Sequence, residues 1–74
     1  MDNYHVVEYG NEWILHAEGN DTALLSADTK AELLEKLPEY MLGRTGSVKI
    51  HSRTGHIEQE RTYPRSADPH RSKG

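Results

Sequence analysis

The sequence contains no cysteine and no phenylalanine, and it has a single tryptophan. The lack of cysteine excludes disulfide bonds, thiolate catalysis and cysteine-ligated zinc sites, and it suits a reducing compartment. No apolar run approaches the roughly 18 residues needed to cross a bilayer, and the first residues lack the basic and apolar segments of a signal peptide. We therefore expect a cytosolic protein with no membrane partner.

Large apolar side chains are scarce, so any hydrophobic core must be thin. Hydrophobic residues make up 34% of the 74-residue chain, and a domain of this size buries only about 60% of its unfolded surface. The apolar residues nevertheless recur with the periods of strands and a helix, which favours a folded domain over disorder. We predict a single α+β domain over residues 1–63. Residues 64–74 contain Pro64 and Pro69 without apolar periodicity and are expected to form a flexible tail.

The net charge of −3 is unevenly distributed along the chain. Residues 1–43 hold two Lys/Arg against nine Asp/Glu, a balance of −7, whereas residues 44–74 hold seven against three, a balance of +4. Two explanations are open. In the first, the two halves lie against each other and neutralise locally; in the second, a basic surface meets an anionic partner or the acidic surface of a second copy.

The polar and apolar pattern predicts the order β-β-β-α-β-β, with a small antiparallel sheet packed on one helix. Residues 4–9 and 12–17 alternate around Gly10-Asn11 and indicate a β-hairpin, while residues 22–26 could supply a third strand. The two-residue period of the hairpin points Val6, Trp13 and Leu15 inward and places His5 and His16 on the other face.

Residues 27–43 carry the helix signal. Thr29 and Glu32 have the spacing of a capping box, and an apolar stripe follows at Leu33, Leu34, Leu37 and Met41. Pro38 interrupts the pattern, because proline lacks an N–H and clashes with the preceding turn. The helix is expected either to kink there or to end near Lys36, and Gly43 or Gly46 would stop the chain from continuing as a helix.

The segment VKIHSRTGHIEQERTYP, residues 48–64, predicts a second hairpin with its turn at Thr54-Gly55. Its second strand has one aliphatic residue, Ile57. By simple alternation Ile57 shares a face with Gln59, Arg61 and Tyr63, opposite Glu58, Glu60 and Thr62. A strand this rich in charge is typical of a sheet edge, where charged side chains discourage indiscriminate pairing.

Several of these stretches, taken in order, resemble one family. YHVV near the start, the tryptophan in NEWILHAEGN, DTKAE at the helix start, VKIHSRTGHI and ERTY are similar in order and spacing to the small bacterial proteins grouped as domain of unknown function 2188. The sequence departs from that pattern at Pro38 and after Tyr63. The resemblance implies a compact α+β fold and no established activity.

Neither a metal site nor an active site is favoured by the residue pattern. His5, His16 and His51 could share the solvent-facing side of the sheet, and three converging imidazoles would suit zinc. However, the usual close histidine spacings are missing and no carboxylate is evidently placed to support a ligand, so exposed structural histidines are the preferred interpretation. No nucleophile is paired with a base, so we expect no enzymatic activity, no cofactor and no catalytic residue.

Binding is the remaining class of function. We expect a noncatalytic module that binds an unknown protein or forms a weak homodimer through a sheet edge, with Arg61 pairing to Glu58 or Glu60 of a second copy. The alternative is nucleic-acid binding by the basic C-terminal hairpin and tail, with Tyr63 or Tyr40 exposed for stacking on a base. The candidate partner or phosphate contacts are Arg44, Lys49, Arg53, Glu58, Glu60, Arg61 and Tyr63.

Overall fold

The computed structural model of the protein describes residues 2–63 and confirms the predicted α+β class and order of elements. The elements are β1 (Asp2–Tyr9), β2 (Glu12–Ala17), β3 (Leu25–Ala27), α1 (Lys30–Tyr40), β4 (Gly46–His51) and β5 (Ile57–Tyr63). The strands form one sheet in the order β3-β2-β1-β4-β5, and α1 packs on one face of it. The predicted tail over 64–74 lies outside the described residues.

The sheet is mixed rather than wholly antiparallel. The two hairpins give antiparallel pairs, β1 with β2 and β4 with β5, but β1 and β4 run parallel at the centre. This pairing follows from the crossover through α1, since a helix between two strands allows the second strand to enter the sheet in the same direction as the first. The halves of the chain with opposite charge balance therefore meet along β1 and β4.

The third strand lies later than the predicted residues 22–26. It comprises Leu25–Ala27, in register with Leu15 to Trp13 of β2. The Asn20 side-chain oxygen accepts a hydrogen bond from the Thr22 backbone N–H at 2.9 Å, which holds the preceding residues in a turn. The loop between β2 and β3 therefore continues to residue 24, further than the residue composition predicts.

The core lies between the sheet and α1. Val6, Trp13 and Leu15 point into it as predicted, with exposed fractions of 0%, 6% and 0%. Its members are Tyr4, Val6, Trp13, Leu15, Ala27, Leu33, Leu37, Met41, Val48, Ile50 and Tyr63. Gly46 lets the backbone of β4 lie close to the Tyr4 ring, because a Cβ at this position would lie 2.7 Å from that ring.

Helix α1 begins as its sequence predicts and continues through Pro38. The Thr29 side chain accepts a hydrogen bond from the Glu32 backbone N–H at 3.1 Å, so Thr29 is the N-cap. The helix ends at Tyr40, beyond the predicted alternative end near Lys36, and Gly43 follows with a φ of +81°, a conformation that glycine adopts readily. No helix among residues 2–63 has the length and apolar character needed to cross a membrane.

Strand β5 occupies the edge of the sheet, as predicted, but it contains a β-bulge that the sequence did not reveal. Gln59 pairs with Ile50, whereas Ile57 pairs with His51, so Glu58 is the additional residue. Cross-strand partners share a face, and Ile57 therefore lies on the face of His51 rather than on that of Gln59, Arg61 and Tyr63. The bulge breaks the alternation on which the sequence prediction depended.

Candidate functional site

Two surfaces carry the polar groups with functional potential. One is the outer edge of the sheet at β5. The other is the open face, which we define as the sheet face directed away from α1, and it carries a histidine row formed by His16, His5 and His51 on three adjacent strands. The sequence prediction that these histidines share one side of the sheet is confirmed.

The histidine row is closely packed. The His5 ring stacks on the His16 ring with centroids 5.4 Å apart and meets the His51 ring at 5.1 Å. His5 and His16 are direct cross-strand partners in the β1–β2 register. His51 comes from β4, which the parallel pairing brings to the other side of β1. Strand register, rather than loop conformation, therefore sets the spacing of the three rings.

The ring nitrogens of His5 and His51 form a chain between two acceptors. His51 Nδ1 lies 3.0 Å from the Gly55 carbonyl oxygen, and His5 Nε2 lies 3.0 Å from Oε1 of Glu18. Between them, His5 Nδ1 and His51 Nε2 are 2.8 Å apart. A carbonyl and an ionised carboxylate only accept hydrogen bonds, so the nitrogens facing them must carry the protons. The two nitrogens facing each other are the ring nitrogens of this pair that have no such acceptor, and one proton between them completes a chain of hydrogen bonds.

His16 is held in the same way on the other side of His5. Its Nδ1 lies 2.9 Å from the carbonyl oxygens of both Ala17 and Asn20, which fixes the proton on Nδ1 and leaves the lone pair on Nε2. Within residues 2–63, however, no three or more histidine or carboxylate side chains converge closely enough to enclose a metal ion. His16 therefore belongs to the row as a stacked neighbour of His5.

Glu18 is the residue that sequence reasoning missed. It lies in the polar turn that follows β2. The β1–β2 register places His16 opposite His5, and Glu18, two residues further on, then reaches the His5 ring. The register of the predicted hairpin could have identified Glu18, because it places the residue after Ala17 beside the start of β1.

The basic residues predicted as phosphate contacts do not form one patch. Lys49, on the open face, donates hydrogen bonds to Oδ1 of Asn3 at 2.7 Å and to Oγ of Ser47 at 3.2 Å. Arg53 lies in the β4–β5 turn, where its Nε is 3.3 Å from Oε2 of Glu8. Each cation is engaged within the chain, on a different part of the surface.

Arg44 and Tyr63 lie at the opposite end of the sheet. The Arg44 guanidinium stacks on the Tyr40 ring at 4.2 Å while its Nε donates to the Tyr40 carbonyl oxygen at 2.8 Å. Tyr63 is 4% exposed and belongs to the core. The prediction of an exposed Tyr63 is therefore wrong. Tyr40 is half-buried under Arg44, and neither ring is presented for stacking on a base.

The charged residues of β5 divide between the two faces of the sheet. Glu58, in the bulge, forms an ion pair with Lys30 at the start of α1. Glu60 accepts a hydrogen bond from Oγ of Ser47 at 2.6 Å on the open face and lies 3.5 Å from Nζ of Lys49. Arg61 pairs with Val48, a core residue, and so belongs to the helix side; it makes no ion pair with any of residues 2–63.

Residues 4–63 match the model of a family described as an uncharacterized protein conserved in bacteria, DUF2188. The chain belongs to this family. The match covers every strand and the helix, and it confirms the resemblance inferred from the sequence motifs. No curated protein and no solved structure is detectably similar to the chain.

Proposed function

We propose that this protein is a small noncatalytic binding module whose β5 edge pairs with β5 of a second copy. The observation that carries the proposal is the position of β5, a strand of seven residues, at one end of the sheet. A strand at the edge of a sheet is the position at which a further strand can be added by backbone hydrogen bonding. The opposite edge strand, β3, has only three residues and offers a much shorter ladder.

An exposed apolar residue accompanies this edge. Ile57 is 58% exposed at the start of β5, where the bulge separates it from the buried face of the strand. A second strand alongside β5 would cover part of this side chain. Burial of apolar area contributes roughly 25 cal/mol per Å², so the contact favours association without making it strong. We expect a weak dimer.

Two ion pairs are predicted across such a dimer, Arg61 with Glu58 and Arg61 with Glu60 of the second copy. The faces on which these side chains lie favour one of them. Two antiparallel copies related by a two-fold axis keep the same face on the same side of the joint sheet. Arg61 lies on the helix side and Glu60 on the open face, so a continuous sheet cannot place them opposite each other. Glu58 is the compatible partner, because it also reaches the helix side, where it contacts Lys30.

Sedimentation of the full chain over a wide concentration range at low salt tests the proposal. We expect reversible dimerisation that Arg61→Glu abolishes, because the substitution opposes two acidic side chains at the joint. Arg53→Glu is the matched control: it makes the same change of charge at an exposed turn residue and should leave the dimer intact. A strictly monomeric wild-type protein at millimolar concentration would exclude self-association.

Nucleic-acid binding by the C-terminal hairpin and tail is the alternative, and it has less support. Lys49, Arg53 and Arg44 are each engaged by other groups of the chain, and they are spread over different parts of the surface. Titration with single- and double-stranded nucleic acid at two salt concentrations separates the two functions, since phosphate binding weakens steeply with salt. The absence of enzymatic activity and the cytosolic location remain predictions from the sequence.

A further inference from the structure

A cleft on the open face lies between the β1–β2 hairpin and the loop that follows β2. Its volume is about 360 Å³. Val7 and Ile14, direct partners in the β1–β2 register, line it from the sheet, and Asp21 and Ala23 line it from the loop. Ile14 is 6% exposed although it lies outside the core cluster, so it is buried on the open face. Sheet and loop therefore form a concave site with an apolar floor outside the hydrophobic core.

The loop is held against the sheet on both sides of Asp21. Before it, Nδ1 of His16 lies 2.9 Å from the carbonyl oxygen of Asn20. After it, the Leu24 backbone N–H donates a hydrogen bond to the Leu15 carbonyl oxygen at 2.7 Å. A loop anchored in this way needs little further ordering when a ligand binds, which lowers the free-energy cost of association.

The charged groups that line the cleft are all negative. Glu12 contributes one carboxylate from β2 and Asp21 the other from the loop, and none of the described lysines or arginines lines it. Neither carboxylate forms an ion pair with any of residues 2–63. Tyr9, the cross-strand partner of Glu12, adds an aromatic ring that is 70% exposed. Carboxylates and the face of an aromatic ring both attract cations, so the cleft suits a cationic ligand and repels an anionic one.

We propose that this cleft binds the side chain of an arginine in a basic segment of a partner protein. The guanidinium is a planar cation that donates hydrogen bonds to carboxylates and stacks on aromatic rings, as Glu12, Asp21 and Tyr9 require. Its apolar stem can pack along the floor formed by Val7 and Ile14. The cleft lies on β1 and β2, and β4 separates it from β5, so dimerisation through β5 leaves it open.

NMR titration of the full chain with the tripeptide acetyl-Gly-Arg-Gly-amide tests the site. We expect saturable shifts in the backbone amide signals of Tyr9 and Ala23, which line the cleft from β1 and from the loop. The same peptide with citrulline in place of arginine is the matched ligand control, because citrulline keeps the shape of the side chain and lacks its charge. The citrulline peptide should bind roughly tenfold more weakly, or less tightly still, since its hydrogen bonds to the carboxylates are no longer assisted by charge.

Two double variants test the role of the carboxylates. Glu12→Gln combined with Asp21→Asn should lower the affinity for the arginine peptide by roughly tenfold or more, because both negative charges are removed. Glu35→Gln combined with Glu39→Gln is the matched control. It removes two exposed carboxylates from α1, on the other face of the sheet, and should leave the affinity unchanged. Circular dichroism verifies that each variant is folded.

Three results would overturn the proposal directly: no saturable shift in the wild-type protein at millimolar peptide, equal binding of the citrulline and arginine peptides, or equal loss of affinity in the two double variants. A fourth would assign the cleft to the chain's own basic segment instead of a partner. In that case, replacing Arg65, Arg71 and Lys73 by glutamine in the full chain would strengthen binding of the arginine peptide. None of these outcomes bears on dimerisation through β5.

Discussion

Trp13 is the largest side chain of the core, and its environment explains why so thin a core can hold. It lies on β2 with 6% of its surface exposed, in one cluster with Leu33 and Leu37 of α1 and with Met41, the residue that follows the helix. Nζ of Lys30 lies 5.2 Å from the centroid of the Trp13 ring, over its face. The ring therefore makes apolar contact with the helix and a cation–π contact at the helix start.

Replacing Trp13 by alanine should cost roughly 3 to 5 kcal/mol of the free energy of unfolding, because the ring leaves a cavity that a small core cannot refill. Since domains are stable by only about 5 to 15 kcal/mol, urea denaturation followed by circular dichroism should show a protein at or near unfolding. Tyr9→Ala is the control. Because Tyr9 is 70% exposed, this substitution should lower the free energy of unfolding by under about 0.5 kcal/mol. Equal losses of unfolding free energy in the two variants would contradict the central position of Trp13 in the core.

The sequence predicts which face of the sheet a side chain occupies where polar and apolar residues alternate without a break. It fails where that alternation is interrupted. Val6, Trp13 and His5 were assigned to the correct faces because β1 and β2 alternate without a break. Tyr63 was wrongly expected to be exposed because its neighbours at alternate positions, Gln59 and Arg61, are polar. The strand begins outside the core and ends in it, so its last residue is buried while its first four are exposed.

Helix α1 shows how an element can tolerate a local defect. Pro38 lies inside the helix, where it cannot donate a hydrogen bond to the preceding turn. Leu37 is fully buried and Met41 is 2% exposed, so the packing of the stripe on both sides of Pro38 outweighs the lost bond. The sequence left open whether the helix ended before this residue, because the strength of the tertiary contacts cannot be read from the helix alone.

Pro38→Ala should therefore stabilise the protein. Pro38 is exposed, so the substitution opens no cavity, and alanine restores the missing N–H donor. We expect a gain of about 1 to 2 kcal/mol after allowing for the greater freedom of the unfolded chain. Thermal and urea unfolding would measure it, and Glu39→Ala, at the next exposed position, should change the free energy of unfolding by under about 0.5 kcal/mol. A less stable Pro38→Ala variant would mean that the proline ring itself contributes to packing.

Among the elements, the hairpins and the helix could be predicted, whereas the central pairing and the contact between His5 and His51 could not. Each hairpin joins neighbours in sequence through a short turn, and the helix carries its own cap and apolar stripe. The parallel pairing of β1 with β4 joins residues more than forty positions apart, such as His5 and Lys49. The contact of His5 with His51 depends on that pairing, so the sequence indicated three histidines on one face without showing that two of them touch.

At the scale of the molecule, the acidic and basic halves of the chain are interleaved. The central β1–β4 pair joins them, and two ion pairs cross between them, Arg53 with Glu8 and Lys30 with Glu58. Exposed pairs of this kind are worth only about 0 to 1 kcal/mol each, so they balance charge more than they hold the fold. The Arg53–Glu8 pair joins a cation of the basic half to a carboxylate of the acidic half, which is the local neutralisation that one explanation of the charge asymmetry requires.

The interleaving also predicts that neither half folds alone. A chain of residues 1–43 would retain β1, β2, β3 and α1, but it would lose the parallel neighbour of β1 and three core residues, Val48, Ile50 and Tyr63. Circular dichroism and tryptophan fluorescence should show an unfolded chain with an exposed Trp13. The control is a chain of residues 1–64, which keeps all five strands and which we expect to lie within about 1 kcal/mol of the full protein. A folded 1–43 chain with a buried tryptophan would show that the core does not need β4 and β5. A loss of much more than about 1 kcal/mol of unfolding free energy in the 1–64 chain would show that the last ten residues stabilise the domain.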